Sequence, residues 1–349
     1  MLHIVGECDA RIFGVRPAER LRRQTGGIGD LVVVADASAV LDDAAVAWLA
    51  DNQGTVIASP SGRPLAVAVR SEERERAVDA LHGASTGLSV VRPEGDQFVR
   101  KLRRRVPLVA LSLAEEPVRI VERQLFDNVY KGITDLVTKW AWPWPAFHVT
   151  RACARLGITP NMVTWAGLVL VLLAGWLFYE GELAAGLTAA WAMTFLDTVD
   201  GKLARVTGTS SAFGNLLDHG TDILHPPVWW YCLAHGIAAL DPGMVDVVWP
   251  SLWIILGCYV AGRVIEIGFH RVFGFNAFIW RPFDSRFRLI VSRRNIILLI
   301  MTIGLILGQA AMAFALCAAW SVVSTIVQAV RIGQALATRR SQRVTSWLT

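Results

Sequence analysis

The sequence predicts an α-helical polytopic membrane domain of six transmembrane helices, preceded by a small cytosolic α/β domain. Three observations carry this. Of 349 residues, 54% are hydrophobic, with a mean hydropathy of +0.44, which is too apolar for an ordinary soluble chain. The charges crowd into the first 130 residues, whereas six apolar segments fill the stretch from 160 to 332. Lys and Arg fall on alternate connections between those segments.

Residues 1–115 alternate short strand and helix patterns. The apolar runs 31–35, 55–58 and 65–69 read as buried strands. Residues 43–52 have helical spacing with Asp42 as cap, and Ser71 is placed to cap a charged helix over 72–81. The glycine run at 26–29 precedes a strand and does not open a helix, so it is no dinucleotide loop. Asp36, at a strand end, reads as a turn residue, with a metal ligand as the alternative. The first residues lack a basic stretch followed by a long apolar run, so the domain is expected to stay in the cytosol.

Residues 116–159 read as an interfacial segment. Val118, Val121, Leu125, Val129, Ile133 and Val137 recur at helical spacing among charges, interrupted by residues 131–135, as in a helix lying on a membrane surface or against the first domain. Trp140, Trp142 and Trp144 alternate with Pro143 and Pro145 and suggest a headgroup-level elbow, with nucleotide stacking as the alternative.

The six apolar segments cover roughly 162–179, 183–201, 214–236, 246–268, 295–307 and 310–331. Pro160 sits in the first turn of the first. The connections 180–182, 237–245 and 308–309 contain no Lys or Arg. Those on the other side hold Lys202, Arg205, Arg271, Arg281, Arg286, Arg288, Arg293 and Arg294, and Arg331, with Arg339, Arg340 and Arg343 of the basic tail 333–349, adds to them. This pattern places both termini at the cytosolic face. It also accounts for the net charge of +5 without nucleic acid. Five scattered cysteines form neither a disulfide framework nor a zinc motif.

Four acids interrupt the apolar segments. Asp197 and Asp200 are three apart, and Asp218 and Asp222 are four apart, so each pair shares a helix face. Folding the chain about a turn at 206–213 brings Asp200 level with Asp218 and Asp197 level with Asp222. Such a layer of carboxylates suits hard divalent cations, Mg2+ or Mn2+. An ionised Asp within a bilayer costs about 2.5–3.5 kcal/mol, so the layer needs a counter-charge. Arg263 and Glu266 are placed to pair within the fourth segment, for packing or for substrate. The loop from Arg281 to Arg294 suits headgroups or an acceptor phosphate. His225 reads as a packed residue beside the helix kink at Pro226 and Pro227.

Asp197-x2-Asp200-Gly201-x2-Ala204-Arg205-x8-Gly214-x3-Asp218-x3-Asp222 resembles the signature of the CDP-alcohol phosphotransferase family, and Pro160, Asn161 and Thr164 at the first helix are similar to it as well. The resemblance covers about 155–335 and implies a six-helix fold. It also implies transfer of a phospho-alcohol group from a CDP-linked donor to a hydroxyl acceptor, with release of CMP, in phospholipid synthesis. By resemblance, two divalent cations, Mg2+ or Mn2+, would be held by Asp197, Asp200, Asp218 and Asp222, with Asp222 as general base. Gly201, Ala204, Arg205, Gly214, Asn161 and Thr164 would serve the donor. Arg263, Arg286, Arg293 and Arg294 are the candidates for an acceptor such as inositol phosphate. The 1–115 domain resembles the middle of the sugar-nucleotidyltransferase fold, with 17–23 as its early helix. It lacks the glycine-rich triphosphate loop and is expected to be inactive. The resemblance implies membrane lipids as partners and is compatible with a homodimer; the charge pattern puts the four Asp near the cytosolic face, and the cell (inner) membrane is the expected location. The alternatives are glycerol phosphate as acceptor, a CDP-polyol or CDP-amino-alcohol donor with a lipid hydroxyl, and, from another class, a cation-binding transporter. The last leaves Gly201 and Ala204 without a role and lacks an inverted repeat.

Overall fold

The structure, a computed structural model, describes residues 1–26, 29–92, 95–99, 102–209 and 212–349. The side chains of residues 97, 212, 213 and 215–219 lie outside that description, as do residues 27–28 of the glycine run and 210–211 of the expected turn. The chain is mostly helical, with a small N-terminal α/β region. It divides into two compact units. One comprises Met1–Lys131, Phe147–Pro160 and Gly201–Ser210. The other comprises Gly132–Ala146, Asn161–Asp200 and Ser211–Thr349.

The first unit contains β1 (Leu2–Val5), α1 (Pro17–Thr25), β2 (Val32–Asp36), β3 (Ala39–Leu41), α2 (Asp43–Asp51), β4 (Thr55–Ala58), β5 (Pro64–Val69), α3 (Arg74–Leu81), β6 (Ser89–Val91), β7 (Asp96–Val99), β8 (Arg104–Pro107), β9 (Ala110–Ser112) and α4 (Val118–Asn128). Five strands form a mixed sheet in the order β1-β2-β5-β4-β6. Apart from Asp36, Thr55 and Pro64 at their ends, the central strands β2, β4 and β5 are runs of Val, Ala, Leu and Ile because both faces are covered. Alternation along β2 sends Val33 and Ala35 into a cluster with Leu21 and Leu49, and Val32 and Val34 into one with Ala77 and Ala80.

Asp42 caps α2 as its position predicts, accepting from the Ala45 amide at 2.8 Å. Ser71 does not cap α3. A 3₁₀ turn, Ser71–Glu73, intervenes and moves the helix start to Arg74. Asp36 closes a turn. It accepts from the Ser38 amide at 2.8 Å and pairs with Arg63 at 3.1 Å. Burial works to raise its pKa, but the Ser38 hydrogen bonds and Arg63 outweigh that and hold it below the usual carboxylate range.

The interfacial stretch breaks where residues 131–135 interrupt its apolar spacing, as the sequence suggests. α4 ends at Asn128, a π-helical turn spans Val137–Ala141, and α5 (Pro143–Arg155) follows. The two prolines of the expected elbow stand in the first turn of α5, where a missing N–H costs no hydrogen bond. Trp142 packs edge-on against Trp191 and Phe195, at 6.1 and 5.2 Å, while Trp140 and Trp144 stay exposed.

The remaining helices are α6 (Pro160–Tyr179), α7 (Leu183–Thr207), α8 (Ala212–Leu240), α9 (Val245–Phe273), α10 (Pro282–Phe287), α11 (Arg294–Ile306) and α12 (Ala310–Arg339). Six of them coincide with the six apolar segments. Among the described residues, three stretches are long and apolar enough to cross a membrane, namely Pro160–Tyr179, Pro242–Phe273 and Ala310–Arg339. Arg294–Ile306 is apolar but shorter. α7 runs on beyond Asp200, so Lys202 and Arg205 lie on a helix and not in a connection.

In the second unit, α12 packs along α9 and α11, and α8 along α9. Its core joins Phe178, Leu187, Met193, Trp229, Leu233, Leu252, Leu298 and Phe314. The indole N–H of the fully buried Trp229 donates to the Val171 carbonyl at 2.8 Å, which removes the cost of burying that polar atom. α8 also approaches the α6–α7 connection closely. A Cβ at Gly236 would lie 2.0 Å from the Phe178 carbonyl oxygen, and that neighbour is backbone and cannot swing away.

Gly236→Ala is therefore expected to destabilise the protein by about 2–3 kcal/mol, the upper range for overpacking. Gly257→Ala in α9, where a Cβ would meet nothing within 4 Å, is the control and should be near neutral. Thermal unfolding in detergent compares the two.

Candidate active site

α7 is apolar through its first turns, with Leu183, Leu187, Ala190 and Met193 facing the core. Its character changes at Asp197. Asp197 and Asp200 follow at helical i,i+3 spacing, and Asp222 lies on α8. All three belong to the second unit.

Arg294, the first residue of α11, joins two of them. One guanidinium nitrogen, Nη2, donates to Asp197 Oδ2 at 2.7 Å, and the other, Nη1, donates to Asp222 Oδ1 at 2.8 Å. A single planar fork reaching both carboxylates means that Asp197 and Asp222 stand at one level, as symmetry about the turn predicts. The arginine side chain is only 15% exposed, Asp197 22% and Asp222 43%.

His225, one turn beyond Asp222, completes this arrangement. Its Nδ1 lies 2.6 Å from the Thr221 carbonyl and its Nε2 lies 3.4 Å from Arg294 Nη1. A carbonyl partner requires Nδ1 to carry the hydrogen, which leaves Nε2 as an acceptor facing the guanidinium. The ring is buried and packs edge-on to Trp229 at 4.6 Å, the packed role expected of it.

Asp200 is buried and accepts from Thr164 Oγ1 of α6 at 2.8 Å. Thr164, a candidate donor contact by its sequence position, thus orients a carboxylate. Asn161 is exposed in the first turn of α6. Gly214 lies in the first turn of α8, and Asp218 lies on α8 one turn before Asp222, its side chain outside the described residues.

Gly201, Ala204 and Arg205 continue along α7 in the first unit. The Arg205 guanidinium folds back over Gly201. A Cβ there would lie 3.3 Å from Nη2, so the missing side chain leaves room for the guanidinium.

Of the other basic candidates, Arg263 lies on α9, Arg286 on α10 and Arg293 directly before α11. Arg263 pairs with Glu266 at 3.9 Å, as their spacing predicts, but Glu266 is more closely engaged by Arg293. Arg286 is exposed on α10. Sequence reasoning missed the junction of Arg294 with Asp197 and Asp222. The available signal was a basic pair, Arg293–Arg294, placed directly before an apolar segment.

The donor atoms gathered here are carboxylate and hydroxyl oxygens, the set that hard divalent cations prefer. Among the described residues, no group of three or more His, Cys, Asp and Glu side chains closes on one ion position. Positive charge is nonetheless accommodated between Asp197 and Asp222, since the guanidinium occupies that place, and the chemistry of the set fits a cation.

Residues 157–330 match the family described as CDP-alcohol phosphatidyltransferase. The chain is 43% identical over 81 residues to the archaetidylinositol phosphate synthase of Pyrococcus horikoshii, covering 23% of this chain and 43% of that one. It is 34% identical over 147 residues to the phosphatidylinositol phosphate synthase of Mycolicibacterium smegmatis, covering 40% and 59%. The chain spans less than half the length of the first curated relatives it matches. The crystal structure of the Mycobacterium tuberculosis phosphatidylinositol phosphate synthase with CDP-DAG bound is 22% identical, with a TM-score of 0.41, covering 54% of this chain and 92% of that one. The same enzyme with manganese and citrate is 24% identical, with a TM-score of 0.40, covering 54% and 88%.

Arg294→Gln removes the shared cation and leaves two carboxylates facing each other. In chelator-treated protein it should lower stability by about 3 kcal/mol, the low end for a broken buried pair because Asp222 is partly exposed. Adding Asp222→Asn should recover part of that loss. Thermal unfolding of the single and double variants gives the comparison.

Proposed function

Because residues 157–330 belong to the CDP-alcohol phosphatidyltransferase family, we propose that this chain transfers a phospho-alcohol group from a CDP-linked lipid donor to the hydroxyl of a phosphorylated, inositol-type acceptor and releases CMP. The observation that carries the reading is the level arrangement of Asp197 and Asp222 around one cation, with Asp200 oriented beside them on α7. The relatives named as inositol phosphate lipid synthases support the choice of acceptor.

The reaction is an exchange of phosphate esters. The acceptor oxygen bonds to the phosphorus that carries the alcohol, the bond from that phosphorus to the CMP oxygen breaks, and CMP leaves with the electron pair. The hydroxyl proton passes to the carboxylate of Asp222, the most exposed of the three described acids. Two divalent cations, Mg2+ or Mn2+, held by Asp197, Asp200, Asp218 and Asp222, would neutralise the diphosphate and acidify the acceptor hydroxyl. Thr164 keeps Asp200 in place. Arg205 pairs with the donor phosphates, and Gly201, Ala204, Gly214 and Asn161 shape the donor site. Arg263, Arg286, Arg293 and Arg294 supply positive charge for the acceptor phosphate.

In this reading α6, α7, α8, α9, α11 and α12 are six spans of a cell membrane, with both termini and the site on the cytosolic side, and the active form is a homodimer. The α/β residues 1–115 act without nucleotidyl transfer.

Purified chain with Mn2+ or Mg2+ and CDP-diacylglycerol should release CMP when inositol phosphate is supplied. CMP release with glycerol phosphate and not inositol phosphate would move the assignment to that acceptor. No release with either would overturn the reading. Asp222→Asn should lower turnover about 100-fold or more while donor binding persists, as loss of a general base does.

A further inference from the structure

The last turns of α7 fold with the α/β residues in one compact unit, Gly201–Ser210 with Met1–Lys131. The helix stops at Gly208, whose φ is +67°, and the Thr209 amide returns to the Ala204 carbonyl at 2.9 Å. A helix end of this kind leaves carbonyls without helical partners and gathers partial negative charge.

Two arginines of α1, three residues apart and so on one face, meet those carbonyls. Arg20 Nε donates to the Val206 carbonyl at 3.0 Å, and Arg23 Nη1 donates to the Thr207 carbonyl at 2.8 Å. A second nitrogen of Arg20 donates to the Leu41 carbonyl. Arg20 is 3% exposed, and its hydrogen bonds among the described residues go to carbonyls and not to a carboxylate. Burial of a charge is costly, and here the charge is shared between the end of α7 and the Leu41 carbonyl of β3, with Asp43 and Asp42 favouring the charged form. One turn earlier the Lys202 ammonium lies 3.7 Å from the Tyr130 ring centroid. The end of α7 is therefore held along consecutive turns, and those turns carry Gly201, Ala204 and Arg205.

We propose that Arg20 and Arg23 are positioning residues for the transfer reaction. By holding the C-terminal turn of α7 they set where Gly201, Ala204 and Arg205 meet the CDP moiety, and this gives the α/β unit its part in the reaction without chemistry of its own. The role in transfer rests on the proposed function; the hold on the helix end does not.

The test uses the full chain in lipid nanodiscs with Arg20→Met, Arg20→Lys and Arg23→Met. Amide hydrogen exchange over residues 201–209 should quicken about tenfold or more in Arg20→Met, with a smaller change in Arg23→Met and partial recovery in Arg20→Lys. With CDP-diacylglycerol and Mn2+, KM for the donor should rise at least about fivefold, with kcat within about twofold, because the lost contact serves ground-state and transition-state binding alike. If Arg20→Met does not fold, the less buried Arg23→Met decides. Unchanged exchange in both Met variants overturns the proposal, as does quicker exchange with an unchanged KM. If the unmodified chain releases no CMP, the functional reading falls and the role in transfer with it, while the exchange contrast still decides whether the arginines hold the helix.

Discussion

Carboxylates set into apolar helices demand a positive partner, and here the guanidinium of Arg294 meets that demand for Asp197 and Asp222 together. The geometry is restrictive because one rigid fork must reach both. It fixes the level of α7 against α8 and ties the start of α11 to both. A paired buried charge adds little stability compared with apolar packing, but it strongly disfavours arrangements that leave it unpaired. The apolar core around Trp229 and Phe314 holds the helices together, while the ionic junction selects their relative register.

Much of this helical unit was legible in the sequence because its signals are local. The six apolar segments became six helices, and the i,i+3 spacing of Asp197 and Asp200 needed only one helix to be correct. The junction was not legible, since Arg294 lies 97 residues from Asp197 and 72 from Asp222, beyond the reach of any periodicity. The same holds for Thr164 and Asp200, 36 residues apart. In the α/β unit the central strands β2, β4 and β5 were readable as apolar runs. The strands β3, β6 and β9 were not, because three residues cannot show an alternation. The Trp and Pro run at the start of α5 read as an elbow because its prolines look like breakers until they are placed in the first turn of a helix.

The two units divide the signature between them. Asp197 and Asp200 belong with the helices, whereas Gly201, Ala204 and Arg205, on the same α7, belong with the sheet. Its Asp36 is committed to Ser38 and Arg63. Leu21 of α1, next to Arg20, is buried in the cluster against the sheet, and the neighbouring Arg20 and Arg23 meet the carbonyls at the end of α7.

Arg293 and Arg294 are neighbours in the chain but answer to different helices, Glu266 on α9 for one and Asp197 and Asp222 for the other. Both cations stand at the N-terminal end of α11, where the helix dipole opposes positive charge. The first turn of α11 is thus electrostatically adverse by itself and is sustained from outside. Neutralising either acid group would loosen the same peptide, so two remote charge states converge on one helix start.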